Sequence, residues 1–317
     1  MHIVVLEPLA IEKEILFDLM KPLEAQGHTI TIYSDIEKEE EALKSRVKDA
    51  DILIIANSPL SGEVIRSATH LKMISVAFTG IDHIDQGACK EKGIMICNAA
   101  GYSTHSVAEL TFGLLFGLLR NIPACDQVTR EERTKAGLVG NELYGKTFGI
   151  IGTGAIGSRV GELAKAFGCR VIAYSRTEKK EVHDLGIQYV SLDELLQKSD
   201  IISLHTPLTT ETQGLINEEK LELVKPTAVL INVARGAVVD SQALAKALQE
   251  GRLAGAGIDV FEMEPPIPKD HPLLSVPNTI VTPHVAFATA ESMKGRAEIV
   301  IENIIQWEKG TPQNRML

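Results

Sequence analysis

The feature that most constrains the fold is a run of six residues, Gly152-Thr153-Gly154-Ala155-Ile156-Gly157. It stands between an apolar, β-branched stretch at 148–151 and a helix-like stretch at 158–167, with another strand expected at 170–174. A GxGxxG pattern alone is weak, because glycine is common; a strand–turn–helix–strand setting is the context that its chemistry requires. Gly152 permits the tight turn, Gly154 lets the backbone approach a pyrophosphate, and Gly157 lets the helix pack closely on the sheet. The helix N-terminus stabilises the phosphate charge. A plain βα turn using glycine for geometry only is the alternative, and the complete βαβ unit favours a dinucleotide site.

The rest of the chain repeats the same alternation. Short β-branched runs predict strands at 3–6, 29–33, 52–56, 73–77 and 94–97, then at 147–151, 170–174, 201–205, 228–233, 255–260 and 279–282. Amphipathic stretches such as 11–26, 36–48 and 288–309 predict helices between and after them. This pattern signals an α/β fold with parallel sheets. A different style begins near residue 102, where Ser103 or Thr104 reads as the N-cap of a strongly apolar helix running to about residue 119. Continuous apolarity predicts burial on most faces, as for a helix between two domains. The acidic patch 37–41 reads as a solvated helix face. A length of 317 residues predicts about two domains, with no Ser/Gly-rich linker to separate them.

Composition removes several classes of function. The net charge of −10 argues against a surface built to grip nucleic acid or an acidic membrane, although a local cleft can still be positive. The longest apolar run, 110–119, is half of the roughly 20 residues that a membrane span needs. Four widely spaced cysteines (Cys89, Cys97, Cys125, Cys169), with no CxxC, read as reduced thiols of a cytoplasmic protein. The reading calls for no metal.

The end of the second strand separates two dinucleotides. NAD sites usually place Asp or Glu there to accept the ribose hydroxyls, whereas a nearby Arg suits a 2′-phosphate. Here the strand ends in Tyr174-Ser175-Arg176-Thr177, followed by Lys179 and Lys180, with no carboxylate at the strand end. Ser175 and Thr177 can donate to phosphate, and Arg176 can pair with it or stack on adenine. A solvated loop cation is the plain reading of Arg176. The absent acid favours NADP(H) over NAD(H).

Three further segments place polar residues just past apolar strands, where ligand crevices of open α/β sheets form. Arg235 precedes Gly236 after the run 228–233, a good position for a bidentate clamp on a carboxylate. Glu264 follows Asp259 and is braced by Pro265 and Pro266, and His284 follows Pro283. A histidine beside a glutamate is held in one tautomer and becomes a competent proton donor. Separately each has an ordinary explanation: a surface ion pair, a loop acid, a hydrogen-bonded strand-end histidine. Together, downstream of a dinucleotide turn, they favour a catalytic set.

At these residues the sequence resembles the D-isomer-specific 2-hydroxyacid dehydrogenase family. The likeness rests on Gly-Tyr-Ser-Thr-His-Ser-Val-Ala-Glu (101–109), the glycine turn, Ser-Leu-His-Thr-Pro-Leu-Thr (203–209), Asn-Val-Ala-Arg-Gly (232–236), Asp-Val-Phe-Glu-Met-Glu-Pro (259–265) and Thr-Pro-His (282–284). It implies a Rossmann dinucleotide-binding domain, 100–285, inserted in a flavodoxin-like substrate domain made of 1–99 and 286–317. It implies that Arg235 orients substrate, that His284 protonates the carbonyl oxygen and that Glu264 supports the imidazolium. Backbone N–H groups of Phe78, Thr79 and Gly80 would hold the substrate carboxylate. The cofactor would lie against the glycine turn, Ser175, Arg176, Thr177, His205, Thr206, Pro207, Val233, Ala234 and Asp259, with Asp259 near the nicotinamide amide. Two departures stand out: the missing strand-end acid, and Phe287 in a segment after His284 that usually holds small residues. The implied activity is NADP(H)- or NAD(H)-dependent interconversion of a small 2-oxo acid, such as glyoxylate or hydroxypyruvate, and its D-2-hydroxy acid. The implied assembly is a homodimer. D-3-phosphoglycerate dehydrogenase is the nearest alternative, and a non-catalytic dinucleotide-sensing, corepressor-like protein is the alternative of another class.

Overall fold

The computed structural model describes residues 1–317. They form two compact units, Met1–Ser103 with Ala288–Leu317, and Thr104–Phe287. The cuts therefore fall after 103 and 287, a few residues beyond the expected 99 and 285.

The first unit holds β1 (His2–Val5), α1 (Lys13–Ala25), β2 (Thr29–Ile32), α2 (Glu40–Val47), β3 (Ile52–Ile55), α3 (Gly62–Ser67), β4 (Met73–Val76), α4 (Gln86–Lys92) and β5 (Met95–Asn98). Its five strands pair only in parallel, in the order β2-β1-β3-β4-β5, which is the flavodoxin-like arrangement. Every residue of β3 and β4 is buried, as a sheet covered on both faces demands. The chain's last helix joins this core: Ala297, Val300, Ile301 and Ile304 pack with Ile3, Val5, Leu16, Met20 and Ile54. That helix starts at Ala290 behind a capping box in which Thr289 Oγ1 accepts from Ser292 N–H and Ser292 Oγ accepts from Thr289 N–H. Its Arg296 is buried and donates to the carbonyls of Leu9 (2.8 Å) and Ala77 (3.3 Å); burial holds the guanidinium below its ordinary pKa.

The second unit holds α5 (Thr104–Leu119), α6 (Ile122–Arg130), β6 (Thr147–Ile151), α7 (Ala155–Ala166), β7 (Arg170–Tyr174), α8 (Lys180–Asp184), β8 (Gln188–Tyr189), α9 (Leu192–Lys198), β9 (Ile201–Leu204), α10 (Glu218–Leu221), β10 (Val229–Asn232), α11 (Ser241–Gln249), β11 (Gly255–Ile258) and β12 (Thr279–Val281). The seven strands run in parallel in the order β12-β11-β10-β9-β6-β7-β8. Counting from β6 this is 3-2-1-4-5-6 with one strand added, the doubly wound dinucleotide-binding order. α5 packs on α7 and on β10, β11 and β12 of its own unit. The last helix of the chain, α12 (Ala290–Glu308), belongs to the first unit.

α5 is buried on most faces, as expected, with His105, Glu109 and Gly113 forming one exposed stripe at i, i+4 spacing. Other local details differ from the sequence reading. The acidic patch 37–41 is mostly outside the helix: α2 begins at Glu40, and the Glu37 carboxylate instead accepts the N–H groups of Lys38 and Glu39. β8 is a two-residue strand too short for its periodicity to show. No single helix is long and apolar enough to cross a membrane.

Phe148 is the largest fully buried side chain of β6, with its ring 5.8 Å from that of Phe112 on α5. We expect Phe148→Ala to lower stability by about 3–5 kcal/mol through lost burial and the cavity left behind. A drop of the urea midpoint with an unchanged slope would show it.

Candidate active site

The glycine turn sits between the end of β6 and the start of α7. Gly152 has φ +95° and donates its N–H to Tyr174 O at 2.8 Å. A Cβ at Gly157 would stand 2.0 Å from Gly152 O, so the helix meets the turn too closely for any side chain. At Gly154 the reverse holds: a Cβ would meet no protein atom within 4 Å. No side chain caps α7 there, so the first N–H groups of a 12-residue helix, those of Ala155 and Ile156 included, are free of a side-chain acceptor. The hydroxyl of Thr153 is turned inward, 2.8 Å from Tyr189 Oη.

Beneath the turn runs the segment after β9. The His205 ring is buried, which pushes its pKa down to about 3, so it is neutral near pH 7. Its Nε2 lies 2.8 Å from Ser203 Oγ, while its Nδ1 and the Thr206 hydroxyl are buried without a protein hydrogen-bond partner. An open glycine, an uncapped helix N-terminus and an orphaned hydroxyl at one strand edge form a donor set that fits a dinucleotide pyrophosphate. Val233 is buried beside it, Ala234 donates its N–H to Asn232 Oδ1 at 3.1 Å, and Pro207 is exposed.

At the end of β7, Ser175 is half-buried, and Arg176 and Thr177 are exposed. Arg176 Nη1 lies 2.5 Å from Glu211 Oε2, with both side chains mostly in solvent. Glu211, on the loop after β9, had no local sequence signal: it lies 35 residues from its partner. A carboxylate thus reaches the neighbourhood of the strand end from elsewhere in the chain.

The remaining candidates follow β10, β11 and β12. Arg235 leaves β10 in extended conformation, its own carbonyl accepting from Asn232 Nδ2 at 3.0 Å. Gly236 then passes so near the backbone of Phe261 that a Cβ would lie 1.9 Å from its carbonyl carbon; glycine is required by that close approach. His284 takes φ +57°, a left-handed conformation uncommon for a non-glycine residue. Its Nδ1 stands 2.9 Å from Glu264 Oε2 and 3.1 Å from Oε1. A carboxylate only accepts, so Nδ1 carries hydrogen and the neutral ring keeps its lone pair on Nε2. The Phe287 ring meets the imidazole edge-on, centroids 5.3 Å apart.

Asp259 has a task that its expected place beside the nicotinamide amide does not describe. It has no exposed surface, and its carboxylate accepts from Thr282 Oγ1 (2.5 Å), Val285 N–H (2.9 Å) and Ala286 N–H (2.9 Å), while its carbonyl accepts from His284 N–H at 2.8 Å. One buried side chain therefore fixes the backbone on both sides of His284. A second pair braces the preceding loop: His271 donates from Nε2 to Glu262 at 3.1 Å, and its ring stands edge-on to Phe261. Sequence reasoning passed over His271, which carries no motif.

In the other unit, Phe78, Thr79 and Gly80 follow β4. Ala99 N–H donates to Phe78 O at 3.0 Å and Asn98 Nδ2 donates to Thr79 O at 2.7 Å, so the carbonyls are engaged from β5. Phe78 also packs against Tyr102, ring centroids 6.2 Å apart.

Residues 112–286 match the family model for the NAD binding domain of D-isomer specific 2-hydroxyacid dehydrogenases. Glyoxylate reductase of Korarchaeum cryptofilum is 42% identical over 272 residues, covering 84% of this chain and 82% of that protein. D-3-phosphoglycerate dehydrogenase of Methanocaldococcus jannaschii is 43% identical over 291 residues, covering 90% of this chain but 55% of that protein. Among solved structures, an acyclic imino acid reductase in complex with NADPH and D-Arg is similar with a TM-score of 0.90 and 34% identity over 100% of both chains. D-lactate dehydrogenase from Aquifex aeolicus, complexed with NAD and lactic acid, is similar with a TM-score of 0.84 and 32% identity, covering 98% of this chain and 96% of that one.

Replacing the Asp259 carboxylate with an amide puts an NH2 group where an N–H or O–H must be accepted. Asp259→Asn is expected to cost about 1–3 kcal/mol in stability. It should also speed hydrogen exchange at the amides of Val285 and Ala286, whereas unchanged exchange there would remove Asp259 from its assigned task.

Proposed function

We propose a function from the family to which this chain belongs, the D-isomer specific 2-hydroxyacid dehydrogenases. The enzyme reduces a small 2-oxo acid, such as glyoxylate or hydroxypyruvate, to the D-2-hydroxy acid. The observation that carries this reading is the His284–Glu264 pair set on a backbone held by buried Asp259, with Arg235 at the end of another strand of the same sheet. Substrates of this kind are supported by the glyoxylate reductases that the chain resembles.

Each proposed role follows from chemistry. A bound dinucleotide supplies the hydride to the substrate's second carbon, or takes it back. The Arg235 guanidinium offers paired N–H donors to a planar carboxylate and its neighbouring oxygen. In the first unit, the backbone N–H groups of Phe78, Thr79 and Gly80 are donors of the kind that suits a carboxylate. For reduction, His284 starts as imidazolium, with Nδ1–H on Glu264 and Nε2–H directed at the carbonyl oxygen. As the proton leaves Nε2, the ring becomes the neutral tautomer that Glu264 already selects, so no ring flip is needed. In oxidation the same Nε2 lone pair accepts the hydroxyl proton.

NADPH is the preferred reductant in this proposal. Ser175, Arg176 and Thr177 supply donors at the strand end, and an NADPH complex is among the similar structures. Glu211 competes for Arg176, but an exposed ion pair contributes only about 0–1 kcal/mol, so a 2′-phosphate can displace it. The cytoplasmic reading rests on four unpaired cysteines, and the homodimer reading on exposed Ile122, Val139 and Tyr144 as apolar surface for a second copy.

Purified protein should oxidise NADPH when given glyoxylate or hydroxypyruvate, and Arg235→Ala should lose at least about a hundredfold in kcat/KM, the 2.7 kcal/mol scale of a charged hydrogen-bond contact. Turnover confined to phosphorylated three-carbon acids would move the assignment to phosphoglycerate dehydrogenase. Tight dinucleotide binding with no turnover on any 2-oxo acid would favour the sensing protein. Separately, Arg176→Asp should swing the ratio of NADPH to NADH affinity towards NADH by tenfold or more, about 1.4 kcal/mol; a constant ratio would defeat the cofactor preference.

A further inference from the structure

We infer that Tyr189 is a positioning residue that sets how strongly the site distinguishes NADPH from NADH, by tying the loop after β7 to the glycine turn. The inference rests on the dinucleotide reading above. Tyr189 ends β8, where it pairs with Ala173 of β7, and the next N–H, that of Val190, donates to Ala173 O at 2.9 Å. This register lays the phenol across the end of the sheet. Its Oη stands 2.8 Å from Thr153 Oγ1 in the turn and accepts the N–H of Lys179, at the far end of the loop, at 3.1 Å. A phenol carries one hydrogen and two lone pairs, so a single oxygen can serve both neighbours. The ring itself packs on His183, centroids 5.0 Å apart, and His183 pairs with Glu178 of the same loop at 3.0 Å.

The two sides joined by this oxygen are held unequally. The turn has bonds of its own: Gly152 N–H to Tyr174 O at 2.8 Å, Ser158 N–H to Gly154 O at 2.9 Å and Ser158 Oγ to Thr153 O at 3.3 Å. The loop runs exposed from Arg176 to Lys179, and its other side-chain ties, Arg176–Glu211 and Glu178–His183, lie largely in solvent. Loss of the phenol oxygen therefore loosens the loop more than the turn. The turn faces the pyrophosphate that both dinucleotides share, whereas the loop faces the ribose carbon at which they differ. Tyr189 thus acts on discrimination more than on binding as such.

Tyr189→Phe keeps the ring and its packing and removes only the oxygen. Calorimetric affinities of NADPH, NADH, 2′-phospho-ADP-ribose and ADP-ribose should be compared in wild type and variant, with the thermal midpoint as a check on folding. The phosphorylated ligands should weaken by about tenfold, the upper scale of the one net hydrogen bond lost to the loop, and the others by less than about threefold. KM for NADPH should rise by more than kcat falls. Equal weakening of all four ligands would mark a merely structural side chain and overturn the inference, as would no change in any. If wild type itself shows no preference for the phosphorylated ligands, the NADPH reading fails; the change of ratio between wild type and Tyr189→Phe still decides the part played by Tyr189.

Discussion

Parallel pairing is the constraint on which the rest of this structure depends. Two strands that run the same way need a crossover between them, so every strand of a parallel sheet ends on one edge. In the seven-stranded sheet, that edge receives Gly152 after β6, Ser175 to Thr177 after β7, His205 and Thr206 after β9, Arg235 after β10, Asp259 and Glu264 after β11, and His284 after β12. Residues spread over more than 130 positions of sequence reach one face of one domain because none of its strands turns back. The glycine turn then adds a phosphate site at the same edge, through a helix end that no side chain caps.

Rigidity is distributed unevenly over that edge, and the distribution suits the chemistry. The backbone around His284 is clamped by a carboxylate with no solvent exposure, although His284 itself holds a left-handed conformation. The Glu264 side chain that orients its ring is 63% exposed, so the imidazole's placement comes from the backbone and its tautomer from an acid at the surface. At the far side of the sheet, the loop carrying Arg176 is tethered chiefly by exposed pairs and one phenol oxygen. Proton transfer needs an atom held in one place, and the buried clamp supplies it, whereas the order of the ribose-facing loop depends on a few tethers at the surface.

Much of this was legible in the sequence, for identifiable reasons. Strands such as Ile52–Ile55 and Val229–Asn232 are continuous apolar runs because both faces are covered, and such runs stand out in any hydropathy reading. The turn Gly152 to Gly157, Arg235, Glu264 and His284 were legible because their chemistry is tied to strand ends. What was not legible depends on pairs far apart in the chain. Glu211 beside Arg176, Tyr189 beside Thr153 and His271 beside Glu262 have no periodicity to betray them, and β8 is too short to have one. Asp259 was legible as a strand-end acid, but its hold on Thr282, Val285 and Ala286 was not, because burial and three accepted hydrogen bonds are properties of a fold and not of a motif.

The C-terminal segment alters the order in which the protein can be completed. The five-stranded unit lacks α12 until residues 290–308 have been made, and Asn98 N–H then finds its acceptor in Asn314. The inserted unit, by contrast, is contiguous from Thr104 to Phe287 and has all of its strands beforehand. Chains emerge from the ribosome N-terminus first. The half of the molecule that is synthesised first is therefore finished last, and until then the apolar surface awaiting Val300 and Ile304 is left to water or to a chaperone.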